Sequence, residues 1–311
     1  YNYKNTYLAH NRLSIIDLRK IANQPMFSGD GKNVLVFNGE IYNYNQLSTA
    51  FTKLDLLSDT EVLLYCLKRY GIDETLKKIE GMFAFGYLNK KENLLTIARD
   101  RSGIKPLYWM KDDNFFIFSS DLKALKKIKN INLEVDRNSV SSFLRFNYIP
   151  APHSIYKNVY KLEAGEYLTF NLKNNHISKT KYFRNSPSKK PKNVSFDSFY
   201  QQLKIELNAA VKKCLISDLD VGSFLSGGID STLITGIANR TSQKKINTFY
   251  IGFEEDEYDE RIYSEFASQI IGTDHQEIFL NKSVTLDIAE NLSDIYDEPF
   301  ADSSQIPTFL L

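Results

Sequence analysis

The chain has 311 residues, 42% of them hydrophobic and 25% charged, with a formal net charge of +1. That length suits about two domains of ~100–200 residues each, and the composition is that of an ordinary globular protein. The near-neutral balance argues against a nucleic-acid binder, which carries a strong basic excess. No apolar run approaches the ~20 residues that span a bilayer, and no signal peptide is visible.

Residues 1–183 read mostly as strands. "NVLVFNGEIYNY" is an apolar strand expected to end at Asn38-Gly39, a dipeptide that favours a tight turn with positive φ. "SDTEVLLYCLKRYG" predicts a helix with Ser58 as cap, Glu61 in the capping-box position and Gly71 as its stop. Three hairpins follow, at "GMFAFGYLNKKENLLTIARD", "PLYWMKDDNFFIFSSD" and "EYLTFNLKNNHISKTKYF". "RNSPSKKPKNVS", residues 184–195, is polar with two prolines and reads as a solvated linker.

From residue 196 to 311 the pattern changes. An amphipathic helix ("FDSFYQQLKIELNAAVKKCLIS") leads into the strand "VGSFL", the helix "STLITGIANR", the strand "INTFYIGF" and the helix "DERIYSEFASQIIG", with Gly272 at its end. The strand "HQEIFL" and the helix "SVTLDIAENLSDIYDE" complete it. Such alternation predicts an α/β doubly wound parallel sheet. Cys66 and Cys214 both sit in apolar helical patterns. They are expected as small core residues in a reducing, cytoplasmic setting.

The ends suggest a fragment. The sequence opens without Met on a strand-like run and closes on "SSQIPTFLL", which reads as the first turns of a buried helix. An apolar face left without its partner would make the chain poorly soluble.

"SFLSGGIDST", residues 223–232, sits between a strand and a helix. In an open parallel sheet, ligands bind at that end of the strands. Two glycines let backbone N–H groups approach an anion, the helix start adds its positive dipole end, and Ser226, Ser231 and Thr232 add hydroxyl donors. This is a phosphate or pyrophosphate cradle, although a plain Gly-rich turn capped by serines is the alternative. No Gly-Lys-Ser/Thr follows, so it is not a Walker A loop. Asp230 would repel a bare phosphate, and it becomes useful if Mg²⁺ lies between them.

Ser-Gly-Gly-x-Asp-Ser after a strand resembles the pyrophosphate loop of ATP pyrophosphatase-type ligases. The blocks "LAHNRLSIIDL", "FNGEIYNYNQL", "SDTEVLL" and "GMFAFGYLNKKENLLTIARDRSGIKPLYW" are similar to the glutaminase domain of class B, glutamine-hydrolysing asparagine synthetases. "DEPFADSSQIPTFLL" is similar to part of their synthetase domain. The resemblance covers essentially the whole chain. It implies an α+β N-terminal-nucleophile hydrolase (αββα sandwich) over 1–183, then the α/β synthetase domain over 196–311. It also implies glutamine, aspartate and ATP as substrates, Mg²⁺ as cofactor, and makes a homodimer an option.

By position, the resemblance implies that Arg12 pairs with the α-carboxylate of glutamine, within a binding stretch of Arg12, Leu13, Ser14, Ile15 and Ile16. Glu40 and Asp59 would hold the α-amino group, and Asn38 and Gly39 would form the oxyanion hole. In the second domain, Leu225 and Ile251 would contact the adenine nucleotide. Ser226, Gly227, Gly228, Asp230 and Ser231 would hold the pyrophosphate, with Asp230 on the metal. Glu298 and Asp302 match a block near the acceptor site and are expected to be solvated acids.

Two family features lie outside this sequence: the nucleophilic cysteine at the mature N-terminus and the remainder of the synthetase domain. Cys66, mid-helix and apolar on both sides, is no substitute. The family reaction converts aspartate, glutamine, ATP and water to asparagine, glutamate, AMP and pyrophosphate through β-aspartyl-AMP, using ammonia passed inside the protein. The fragment alone is expected to be inactive. Rivals are an amidotransferase acting on a sugar acid or a peptide, a β-lactam synthetase or lasso-peptide cyclase, and a truncated binding protein. The glutamine-site residues argue against the cyclase type.

Overall fold

The computed structural model of the chain describes residues 1–51, 58–129, 131–186, 194–253 and 260–310. Most of the stretch expected as a linker lies outside them. The residues cluster into two compact units. The first is Tyr1–Ser186 with Tyr296–Ala301, and the second is Pro187–Ile295 with Asp302–Leu311.

In the first unit, β1 (Asn2–Tyr3) and β2 (Thr6–Tyr7) form a small ribbon. They are followed by β3 (Met26–Phe27), β4 (Asn33–Ile41), α1 (Tyr44–Ser48), α2 (Asp59–Lys78), β5 (Gly81–Asn89) and β6 (Leu94–Arg99). Next come β7 (Tyr108–Lys111), β8 (Phe116–Ser119), α3 (Leu122–Lys126), α4 (Arg137–Phe146), β9 (Val159–Lys161), β10 (Glu166–Asn171) and β11 (Ile177–Lys181). A six-stranded sheet runs β11-β10-β6-β5-β4-β3 and a three-stranded sheet runs β8-β7-β9, both antiparallel. The three predicted hairpins are β5–β6, β7–β8 and β10–β11.

Side chains alternate across a strand, and the alternation builds the layers. Leu35 and Phe37 of β4 and Phe83 and Phe85 of β5 pack against Leu63, Leu64 and Leu67 of α2. Val34, Val36, Ala84, Leu88, Leu95 and Ile97 face the other way, onto Leu107, Trp109, Phe116 and Phe118 around the small sheet. On the far side of that sheet, Tyr108, Met110 and Val159 pack with Leu122 and Leu125 of α3. Helix, sheet, sheet and helix stack in four layers, the expected αββα sandwich.

Two local expectations change. Helix α2 starts as predicted: Ser58 Oγ accepts from the Glu61 N–H at 3.1 Å, and Glu61 accepts from the Ser58 N–H at 3.2 Å. Gly71, at φ 74°, breaks the helix, but helical turns resume to Lys78. Asn38-Gly39 is not a turn. It lies inside β4, which pairs with β5 from Asn33↔Asn89 to Ile41↔Gly81. The reason is tertiary: the two backbones approach so closely that a Cβ on Gly39 would sit 2.0 Å from the Met82 carbonyl oxygen. One on Gly81 would sit 2.0 Å from that of Glu40.

The second unit holds α5 (Phe196–Cys214), β12 (Gly222–Phe224), α6 (Ile229–Thr241), β13 (Asn247–Phe253), α7 (Arg261–Ile271), β14 (Asp274–Leu280), α8 (Lys282–Glu290), α9 (Leu292–Ile295) and α10 (Gln305–Leu310). Its strands are parallel in the order β12-β13-β14. Both crossovers step the same way, so right-handed connections put α6 and α7 on one face, where they pack on each other. Val211 and Leu207 of α5 pack on Ile237 and Ala238 of α6. Gly272 caps α7 in the left-handed region. Cys214 is exposed at the last turn of α5, not a core residue, because the apolar stripe of that turn is carried by Val211 and Leu215. The residues of α10 are half-buried or exposed rather than buried. No helix among the described residues is long and apolar enough to cross a membrane.

The β4–β5 contact yields a stability test. Gly81→Ala forces a methyl group into the Glu40 carbonyl and is expected to cost about 3 kcal/mol, read as a lower urea midpoint for unfolding of the first unit. A variant unfolding at the wild-type midpoint would contradict the close approach.

Candidate functional site

A cavity of 1250 Å³ opens in the first unit. It is lined by inter-sheet residues such as Val36, Ala84, Gly86 and Phe118, and by the end of β4. Asn38 and Glu40 continue the alternation of Val34 and Val36, so they belong to the same face of β4. The site is thus the unfilled end of the layer between the two sheets.

The edge of β4 supplies backbone donors. The Phe37 N–H goes to Gln24 Oε1 at 2.6 Å, and the Ile41 N–H goes to Asp59 Oδ2 at 3.1 Å. Gly39 lies between them in the same parity. Its partner across the ladder, Phe83, turns its own N–H and carbonyl away, to Asp100 Oδ2 and to the Asp100 N–H. The Gly39 N–H therefore points off β5, at an edge that β3, paired only with Val34 and Leu35, does not reach. Gly39 lines the cavity, as does Asn38, whose side-chain amide has no hydrogen bond among the described residues.

Asp59, the first residue of α2, is buried. Burial pushes its carboxyl up to about 6, with the nearby Glu40 charge adding to the rise. The N–H groups of Ile41 and Thr60 pull the other way. Glu40 is half-buried, and burial raises its carboxyl too, against the opposing charge of Lys105.

Arg12 lies in the long loop before β3. Its guanidinium donates to the carbonyls of Ile16 (3.0 Å), Arg19 (3.3 Å) and Asp17, and to Asn23 Oδ1 (3.4 Å). The loop's own carbonyls hold the fork in place. Leu13, Ile15 and Ile16 line the cavity with it; Ser14 does not. Sequence reasoning assigned nothing to His10 or Lys105, both of which also line the cavity. Burial lowers the His10 imidazole below its usual range, so it stays neutral near pH 7. Their signal was weak: His10 stands two residues before Arg12, and Lys105 is far from it in sequence.

In the second unit, β12 runs into Leu225, whose N–H bonds the Phe249 carbonyl at 2.9 Å. Leu225 is buried, as is Ile251, two residues beyond Phe249 on the neighbouring strand. The loop then turns at Gly227, at φ 78°, where a Cβ would lie 2.4 Å from the backbone of Tyr263. Gly228 is the N-cap of α6 and makes no side-chain cap bond. Ser226 Oγ and Ser231 Oγ are 3.1 Å apart, and Ser231 also donates to the Gly228 carbonyl at 3.2 Å. Ser226, Gly228 and Asp230 are exposed, and the Thr232 hydroxyl is buried without a partner among the described residues. The predicted loop residues are therefore together at one helix start.

Among the described residues no three metal-ligating side chains converge. Asp230 is an exposed carboxylate in the first turn of α6, beside the loop. That donor set fits Mg²⁺, which is held through one or two carboxylates together with substrate phosphates and water.

Glu298 is not a solvated acid. It forms an ion pair with Lys161 at 2.5 Å, with both side chains mostly buried, and accepts from the Ile155 N–H at 2.7 Å. Beside it, Asp297 accepts from the Leu122 N–H at 2.9 Å. These bonds hold Tyr296–Ala301 within the first unit. Asp302 is exposed, its carboxylate bonded only to Ser304 among the described residues.

Residues 1–183 match the glutamine amidotransferase domain family, and residues 202–311 match asparagine synthase. A protein of Methanocaldococcus jannaschii, provisionally named a second glutamine-hydrolysing asparagine synthetase, is 38% identical over 99% of this chain and 63% of its own length. Asparagine synthetase [glutamine-hydrolyzing] 1 of Bacillus subtilis is 32% identical over 96% of this chain and 47% of its own length. Asparagine synthetase [glutamine-hydrolyzing] 3 of the same organism is 30% identical over 93% and 50%, respectively. The chain thus spans about half to two thirds of the length of these relatives. With one family model covering more than half of it and the second most of the rest, the chain belongs to the glutamine-hydrolysing asparagine synthetase family, as a glutamine amidotransferase domain followed by an asparagine synthase domain.

Proposed function

We propose that the chain serves ATP-dependent amide synthesis in which glutamine supplies the nitrogen and aspartate the carboxylate, consuming one water and giving asparagine, glutamate, AMP and pyrophosphate. The observation that carries the reading is the convergence of Arg12, Asn38, Gly39, Glu40 and Asp59 on one cavity. Their chemistry complements an α-amino acid with a side-chain amide. A planar guanidinium suits the α-carboxylate, and two carboxylates suit the α-ammonium. The Gly39 N–H, held in place by the β4–β5 pairing, and the Asn38 amide suit the oxyanion formed when the substrate amide is attacked.

Neither cysteine of this sequence suits the nucleophile. Cys66 is buried with its thiol pushed up to about 11 by burial, and Cys214 belongs to the second unit. The nucleophile of the reading is the N-terminal cysteine that the family resemblance implies, outside this sequence. Ammonia must reach the second reaction unprotonated, which requires shelter from water.

In the second unit, ATP would place its pyrophosphate on the Ser226–Ser231 loop, where the N–H groups at the start of α6 and the serine hydroxyls would donate to its oxygens. Leu225 and Ile251 would offer apolar contact to the nucleotide. Asp230 would hold Mg²⁺, which supplies charge neutralisation to the departing pyrophosphate when bound. The two free thiols suit a reducing cytoplasm.

The test is pyrophosphate release by the full-length protein from ATP, glutamine and aspartate. Release with another carboxylate and none with aspartate would keep the ligase chemistry and replace the acceptor. Arg12→Lys is expected to raise the KM for glutamine about 100-fold, leaving synthesis from added ammonia intact. Asp230→Ala is expected to lower pyrophosphate release about 100-fold or more while glutamine hydrolysis persists. Glutamine binding should weaken as pH falls through about 6, because Asp59 takes up a proton there and loses its attraction for the ammonium. Affinity that is flat from pH 8 to pH 5 would remove Asp59 from that role.

A further inference from the structure

The loop after β6, "RDRSGIKP", is organised around one buried carboxylate. Asp100 is 1% exposed. Its Oδ1 accepts from the N–H groups of Ser102 and Ile104, both at 3.0 Å. Its Oδ2 accepts from Lys105 at 3.0 Å and from Phe83 at 3.2 Å. Arg99 closes the loop from the other side, donating to the carbonyls of Gly103 and Lys105, each at 2.7 Å. Phe83 is the register partner of Gly39, and Met82 that of Glu40. Asp100 therefore ties Lys105 to the point of β5 that faces the Asn38–Glu40 end of β4.

Lys105 lines the cavity with Glu40 and Asp59. Its ammonium has no ion pair or hydrogen bond among the described residues, so it is not committed to folding contacts. Two carboxylates close enough to disfavour each other's ionisation need a counter-charge to remain a doubly charged pair. Of the other groups here, Arg12 is tied to its own loop carbonyls, His10 is neutral, and β5 lines the cavity with the uncharged Ala84, Phe85 and Gly86. Asp100 is enclosed by its N–H donors.

We propose that Lys105 is a positioning residue of the glutamine pocket: held beside β4 by Asp100, its ammonium balances one of the two carboxylates Glu40 and Asp59. The remaining single negative charge then matches one α-ammonium. The inference rests on the glutamine-binding reading for its ligand, but not for its charge balance. A pocket with two unbalanced acids would take up a proton near neutral pH, and only one of the two would then meet the ammonium as a carboxylate. A balanced one keeps a net charge of minus one over a wider range.

The experiment compares wild type with Lys105→Met and Lys105→Arg. Carbon-13 NMR of glutamate-labelled chain, with Glu40→Gln to assign the signal, follows ionisation of Glu40 directly. The Glu40 midpoint is expected to move up in Lys105→Met and to return in Lys105→Arg. An unchanged midpoint in folded Lys105→Met overturns the proposal. Calorimetry with L-glutamine adds the ligand. The loss of affinity caused by Lys105→Met should be about tenfold larger at pH 6 than at pH 8, whereas a merely structural loss would be equal at both. If the Glu40 midpoint moves but glutamine binds neither protein, the charge balance stands and the glutamine reading fails.

Discussion

The first unit depends on the close approach of β4 and β5 at Gly39 and Gly81. Neither position tolerates a Cβ, since each would put one 2.0 Å from a carbonyl oxygen of the other strand. Holding the strands together here fixes parity to the last residue of β4. Phe37, Gly39 and Ile41 then present N–H groups to one edge, and Asn38 and Glu40 present side chains to the inter-sheet layer. Gln24 and Asp59 take the first and third of those N–H groups. On the proposed reading, the second is left for the ligand. A one-residue slip would exchange the two sets and erase both the donor and the acid at once.

Asp59 shows how folding and binding share one group. It starts α2, where a carboxylate is favoured by the helix dipole, and it pins β4 through Ile41. Yet its burial holds the carboxyl well above the ordinary range. On the proposed reading, a cationic ligand would favour the ionised form of this buried, hydrogen-bonded acid. The same reasoning explains why a second acid, Glu40, sits alongside, where electrostatics alone would keep it away.

Much of this was legible in the sequence where the signal is local. The Ser58/Glu61 box, the three hairpins and the strand–loop–helix around Ser226 each declare themselves within a dozen residues. The failures share a cause. Asn38-Gly39 carries a turn signal, but pairing with β5 overrides it, because strand pairing depends on neighbours rather than on the dipeptide. Glu298 reads as a surface acid until Lys161 and the Ile155 N–H are brought to it from ~140 residues away. Lys105 has no motif meaning of its own; its place comes from the four N–H groups that wrap Asp100. Gly71 does what a glycine does, yet the chain resumes its helix because Leu76 and Ile79 are needed in the core.

The helix starts of the chain divide by use. Ser58, Asp121, Asp136, Ser195 and Asn281 each spend a side chain on capping. Helices α1 and α7 begin on Asn43 and Glu260 without such a bond, and α6 begins on Gly228, which has no side chain to spend. A capped start satisfies its own N–H groups and has nothing left for an anion. An uncapped, exposed start would be a liability in a purely structural helix, and substitution by serine would be the cheap remedy. Here the loop keeps glycine at two successive positions, one of them forced by Tyr263 and the other not. At Gly228 space does not demand the glycine: an added Cβ would meet only Ser226 Oγ, at 3.4 Å, and Ser231 Oγ, at 3.9 Å. What a side chain would take from that position is the open backbone, and an open backbone is what a phosphate requires.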